Sequence, residues 1–349
     1  MIHHIVEHLA NGPYGDGPSI RSDSDALFDG LTELLTPPGK QNLTYSRVPT
    51  SARKARLRAE LEKVLRGAPS ATRDQALTAT LAPSSPLTAD ADFSVSLRVL
   101  GIDTPASDQD IRWITEEAVH DLRAEGYGAE TPEFDPSLFQ QERIDEAKEF
   151  LSSALGRVAT ETLPFSGNVL ILAGTFDSAY LTPTPLTIVV NERILRDPVY
   201  LAESLLHETL HQKFGDLLLV RRLLPPQYTP TSGPFLNIPW NPTPEGPRQM
   251  DSVRVLSTLH VYTHLSLFHL TLHAMGSGDT TPEKVSEYIA RAHFFAHVAG
   301  TAMVGAHTGP ESEAFTEWLG DALMKVLFHA RSHGIQPDIA RYIRAGVQG

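Results

Sequence analysis

The chain has 349 residues, 41% of them hydrophobic, enough for one large core or two modest ones. A formal net charge of -13 argues against a general nucleic-acid or anionic-membrane surface, and the lack of cysteine excludes disulfides, thiolate metal sites and iron–sulfur clusters. The opening MIHHIVEHLANG has no basic segment followed by a long apolar core, and no run of about 18 apolar residues occurs, so the expectation is a cytoplasmic protein.

Residues 1–80 read as helices broken by loops. DALFDGLTELL (25–35) has apolar residues at helical spacing and stops at TPPGK. SARKARLRAELEKVLRGAP (51–69) is a charged amphipathic helix whose basic run, Arg53 to Arg58, reads as a solvated face. APSSPLTADAD (82–92) is a loop or linker, and FSVSLRVLGI (93–102) alternates like a strand. Residues 107–127 and 136–157 look helical. NVLILAG (168–174) and LTIVVNE (186–192) are short β-branched runs, expected to be buried strands.

A helix of about 25 residues follows. Asp197 is a good N-cap, Pro198 suits the first helical position, and Pro225 and Pro226 prevent continuation. Residues 225–247 hold eight prolines and read as a long irregular segment, a lid or a surface wrap. Further helices are expected over roughly 249–275, 282–300 and 311–333.

The middle of the long helix carries His207, Glu208 and His211 in the order H-E-x-x-H. Positions i and i+4 share a face roughly 5–6 Å apart, so both imidazoles can address one metal ion. Glu208, rotated by one position, sits beside the ion, where in zinc hydrolases it deprotonates bound water. A catalytic metal needs a third protein ligand, and the histidines cluster downstream. STLHVYTHLSLFHLTLH (257–273) holds His260, His264, His269 and His273. Of these His260 is favoured, with His264 next; the pair His293 and His297 reads as structural. Continuation as H-E-x-x-H-x-x-G-x-x-H fails, since Phe214 and Leu217 occupy the glycine and third-histidine positions, and no glutamate precedes Glu283 on the next helix. Three imidazoles suit zinc and ferrous iron alike. Arg248 and Arg254, just before His260, are placed to pair with a carboxylate such as that of a keto acid.

LLHETLHQKF, then a proline-rich stretch with IPWNP, then an arginine, then LHVYTHLSLF, resembles the HExxH-motif peptide-modification proteins of ribosomal peptide natural-product pathways. The resemblance covers about residues 165–275. It implies an iron(II)- and 2-oxoglutarate-dependent oxygenase that β-hydroxylates a residue of a precursor peptide. On this reading His207, His211 and His260 are iron ligands, Arg254 is the 2-oxoglutarate clamp and Arg248 its reserve. Glu208 lies behind the ligands, or is itself a ligand if His260 is not. The family places an arginine–proline pair before the histidine; here Val255 follows Arg254 and Gln249 follows Arg248.

Two other readings stand beside it. One is a zinc metallopeptidase with Glu208 as general base; the other is a non-catalytic, metal-stabilised peptide-binding protein. The expected fold is α+β and mainly helical, with a small sheet beside the HExxH helix. Residues 1–160 are expected to form a helical, substrate-gripping region and 161–349 the metal-binding region. The partner is a peptide, with no nucleic acid and no membrane.

Overall fold

The computed structural model describes residues 2–36, 44–48, 50–65, 97–99, 108–130, 138–229, 235–243, 246–301 and 307–346. The linker read over 82–92 lies outside these residues. So does the stop at TPPGK from residue 37 onward, and so does most of the strand expected over 93–102.

The fold is α+β and mainly helical. Helices α1 (Ile2–Ala10), α2 (Gly12–Gly15), α3 (Gly17–Leu35), α4 (Ser51–Leu65), α5 (Asp108–Ala124), α6 (Leu138–Leu155) and α7 (Arg157–Thr162) precede the long helix α8 (Pro198–Val220). They are interleaved with strands β1 (Leu97–Val99), β2 (Ala129–Glu130), β3 (Asn168–Gly174), β4 (Ser178–Tyr180) and β5 (Thr187–Asn191). After α8 come β6 (Leu236–Thr243), β7 (Gly246–Met250), α9 (Ser252–Ala274), α10 (Pro282–Ala299), α11 (Ser312–Ser332) and α12 (Ala340–Gly346). Among the described residues no helix is long and apolar enough to cross a membrane.

The chain divides into two compact units. One comprises residues 21–150 and 162–212 and contains the five-stranded sheet. Its strands run in the order β1-β3-β5-β4, with β2 also on β3. β3 and β5 pair in parallel, Asn168 opposite Thr187 through Leu172 opposite Asn191. Val169, Leu170, Ile171 and Leu172 on β3, and Ile188, Val189 and Val190 on β5, are fully buried. A continuous β-branched and leucine run is what a strand covered on both faces requires. Leu170, Leu172 and Val189 pack with Ala52 and Ala55 of α4 and with Ile114, Ala118 and Leu122 of α5. The basic face of α4 is partly internal rather than solvated. Arg58 is buried, with Nε 2.8 Å from Glu62 and its guanidinium 4.9 Å from the Phe28 ring centroid. Its aliphatic stem joins the core while the charge finds a carboxylate and a π face.

The other unit comprises residues 1–20, 151–161 and 213–349. In it α9 packs on α10 and α11, α1 on α11, and α12 on α10. The proline-rich segment expected to be irregular holds a two-stranded antiparallel ribbon. Leu236 lies opposite Met250, Asn237 opposite Gln249 and Ile238 opposite Arg248. Pro239, Pro242 and Pro247 are compatible with it because both strands of such a ribbon are edges, where a missing N–H breaks no ladder. Trp240 anchors the ribbon against Phe294, Phe295 and Tyr342, under the Arg291 guanidinium.

Candidate metal centre

Helix α8 starts where its sequence places it. Asp197 Oδ1 accepts from the backbone N–H groups of Val199 (3.0 Å) and Tyr200 (2.9 Å), satisfying two donors that a helix start leaves orphaned. From Leu201 to Leu217 nearly every residue is buried; His207, His211 and Gly215 are the partly exposed ones, at i, i+4 and i+8. That stripe opens the two imidazoles to solvent on a helix otherwise enclosed by core.

Ligand atoms of His207, Glu208 and His211 all lie within 4.8 Å of one another, the metal-competent group found among the described residues. The two histidine Nε2 atoms are 3.2 Å apart. Nitrogens bound to one ion at about 2.1 Å stand roughly 3.0 Å apart at a right angle and roughly 3.4 Å apart at the tetrahedral angle. The observed spacing falls between these values, so the pair fits an ion without choosing its geometry. Glu208 is buried, and its Oε1 accepts from the Ser178 hydroxyl at 2.6 Å. The Tyr180 ring stacks on that of His211 at 6.3 Å and 17°.

Ser178 and Tyr180 are alternate residues of β4, so both point to the face that meets α8. The strand is anchored at its start. Asp177, immediately before it, is gripped by the Arg193 guanidinium and the Tyr200 hydroxyl. Burial alone would raise the Asp177 carboxyl; the hydrogen bonds from Tyr200 and Arg193 outweigh it and hold the group below its ordinary value. Tyr200 responds in the opposite sense, raised first by burial and then by its bond to Asp177. After β4, Leu186 adopts φ 60°, the one positive φ among described non-glycine residues. Its N–H donates to Gln212 Oε1 at 2.7 Å, and its carbonyl accepts from Gly167 and Asn168. Helix α8 thus fixes the turn between β4 and β5 through the residue next to His211.

The sequence placed His260 third in the ligand set. In the helical unit His260 is fully buried on α9, its ring 6.3 Å from that of Phe214, 5.8 Å from Phe315 and 4.6 Å from His264. His264 is buried completely, and its Nδ1–H donates to the His260 carbonyl at 2.8 Å, which leaves Nε2 as the lone-pair nitrogen. Burial pushes its pKa down to about 3, and the nearby Lys213 adds to the shift. Lys213 is itself fully buried, its ammonium donating to the Gly15 carbonyl at 2.8 Å. Arg248 and Arg254 are exposed, and Arg254 lies in the first turn of α9. His293 is half-buried and His297 exposed. Ser178 and Tyr180 carry no sequence signal: FDSAYL has no period or motif, and its relation to α8 exists only in three dimensions.

No protein-family model matches the chain, and no curated protein matches it.

Proposed function

We propose that the chain is an iron(II)- and 2-oxoglutarate-dependent oxygenase that hydroxylates a β-carbon in a ribosomally made precursor peptide. The observation that carries this reading is the donor set, two imidazoles and one carboxylate whose Oε1 is already occupied by the Ser178 hydroxyl. A carboxylate held from behind by a hydrogen bond has the arrangement of a metal ligand with an outer-shell partner. Two histidines and one carboxylate, with the remaining positions open, are the ligand type of non-haem iron(II) oxygenases. His207, His211 and Glu208 Oε2 would hold the ion, so Glu208 takes the third position first expected for His260. Bound there with 2-oxoglutarate, iron supplies oxidation by dioxygen coupled to decarboxylation of the keto acid.

The chain's own residues have separable tasks. Ser178 orients Glu208. Tyr180 limits rotation of the His211 ring. Arg254, with Arg248 in reserve, is the exposed arginine that the resemblance implies as the clamp for 2-oxoglutarate. The test is the visible spectrum of the metal-free chain given iron(II) and then 2-oxoglutarate without oxygen. A weak charge-transfer band that is lost in His207→Ala and in Arg254→Ala supports the reading. Iron binding without a band removes 2-oxoglutarate from it. The zinc form, with Glu208 as base and Glu208→Gln as control, is then assayed for peptide hydrolysis.

A further inference from the structure

Helix α11 packs one face on α1, α9 and α10 and turns the other outward. At 100° per residue, Glu313, Glu317, Gly320, Met324, Phe328 and Arg331 fall within about 80° of one another, on a stripe about 27 Å long. All are exposed except Gly320, which is half-buried. Met324 is 58% exposed and Phe328 64%. With His4 and Ile5 of α1 they line a cavity of about 270 Å³. Two large apolar side chains side by side at the surface, continued by a cavity, are the mark of a face that another molecule covers.

The rest of the stripe says what that molecule is. Its charges are segregated: Glu313 and Glu317 precede the apolar pair, and Arg331 follows it. Such an order is complementary to itself when reversed. A two-fold axis that sets Met324 against Met324 of a second copy sets Glu317 against Arg331 and Gly320 against Phe328. Asp321 and Lys325 lie on one flank of the stripe, and the same axis brings each within one turn of the other across the pair. A parallel pair would instead put carboxylate on carboxylate. Gly320 supports the antiparallel register independently. Glycine is disfavoured inside a helix, and no described atom lies within 4 Å of a Cβ built at 320, so packing among the described residues does not call for it. Opposite Phe328 of a second copy, the missing side chain makes room for a ring. Met324 of that copy reaches the rim of the cavity beside α1, and an unbranched thioether is suited to filling an irregular gap.

We propose that the chain forms a two-fold dimer through α11, the helices antiparallel and crossing at Met324. The interface is isologous, so each contact off the axis occurs twice. One helix pair buries less than the roughly 1,200 Å² of the smaller stable interfaces, which places the dimer at about 10 µM. The dimer is independent of the metal site and of the reaction proposed for it.

The experiment is sedimentation velocity on the full chain from about 1 to 100 µM, with a chelator present. The expected mass rises from one chain to two across that range. Met324→Asp and Phe328→Asp place a carboxylate at the centre and are each expected to weaken association at least about tenfold. Both positions are exposed, so far-UV circular dichroism and the melting temperature of the monomer stay as in the parent. Gly320→Leu takes the room of the Phe328 ring and weakens the dimer by about the same factor while favouring the helix itself. The register is read from charge. Glu317→Arg alone sets arginine against arginine, and Arg331→Glu alone sets glutamate against glutamate, so each is expected to dissociate about tenfold more readily. Mixed together the two variants pair again, because every arginine then meets a glutamate, and the chain carrying both changes associates as the parent does. A single-chain mass at about 100 µM overturns the proposal and leaves the stripe to a different protein. Association that is unaffected by Met324→Asp, or mixed charge variants that associate no better than either alone, overturns it as well.

Discussion

A hydroxyl 2.6 Å from Glu208 Oε1 takes one lone pair of that carboxylate and leaves Oε2 open to meet a cation. Outer-shell partners of this kind tune affinity rather than create it. Ser178→Ala is therefore expected to weaken iron(II) binding about 10–100-fold, measured by competition with a chelator, while secondary structure is unchanged. His207→Ala removes a donor outright and is expected to abolish stoichiometric binding in the same titration. If Ser178→Ala binds iron as the parent does, Glu208 is not the third ligand and the histidines of α9 return as candidates. The sequence shows why one half of this site is readable and the other is not. His207, Glu208 and His211 lie on one helix, where a fixed pitch converts spacing into proximity. Ser178 reaches Glu208 from 30 residues away, across a turn whose course depends on Leu186 adopting a positive φ. Nothing in the run of FDSAYLTPTPL encodes that in a period.

Element boundaries were readable wherever local chemistry set them. Asp197 and Pro198 announce α8, and the β-branched run 168–174 is β3 residue for residue. The ribbon of β6 and β7 was hidden because prolines argue against a ladder, and a two-stranded ribbon is the case in which they do little harm. Arg58 was hidden likewise, since a basic helix face gives no hint that one guanidinium turns inward onto Phe28. Two substitutions probe how α8 is held. Asp197→Ala removes the acceptor for two N–H groups and is expected to cost about 1 kcal/mol in denaturant unfolding. Gln212→Leu keeps the bulk but strips the Leu186 N–H of its partner, and is expected to cost about 1–3 kcal/mol. Because that N–H anchors the turn after β4, Gln212→Leu should also weaken metal binding, whereas Asp197→Ala, ten residues from His207, should not. Equal effects of the two variants on metal affinity would mean that the turn does not position the site.

Across the whole molecule, buried neutral histidines tie stability to pH. His264 has its pKa pushed down to about 3 by burial, and His293 to about 4 by burial with Arg331 adding to it. Both are lowered from 6.5, so in the unfolded chain they take up protons at a pH where the folded chain refuses them. The unfolded state then binds more protons, and stability rises with pH between the folded and unfolded values. Their neutral burial is thus tolerated without penalty above about pH 6.5 and works against folding as the pH falls toward 4. For His264 alone the loss between pH 7 and pH 5 amounts to about 2 kcal/mol. Substitution by leucine separates this from the titration of the many carboxylates. His264→Leu keeps an apolar side chain beside His260 and Trp318, and the His260 carbonyl retains its helical backbone partner. The variant is expected to lose about 2 kcal/mol less than the parent over that interval, read from urea midpoints at the two pH values with a chelator present. A variant that follows the parent's slope would show that His264 becomes protonated without unfolding, which requires water or an anion to reach Nε2 inside the helical unit.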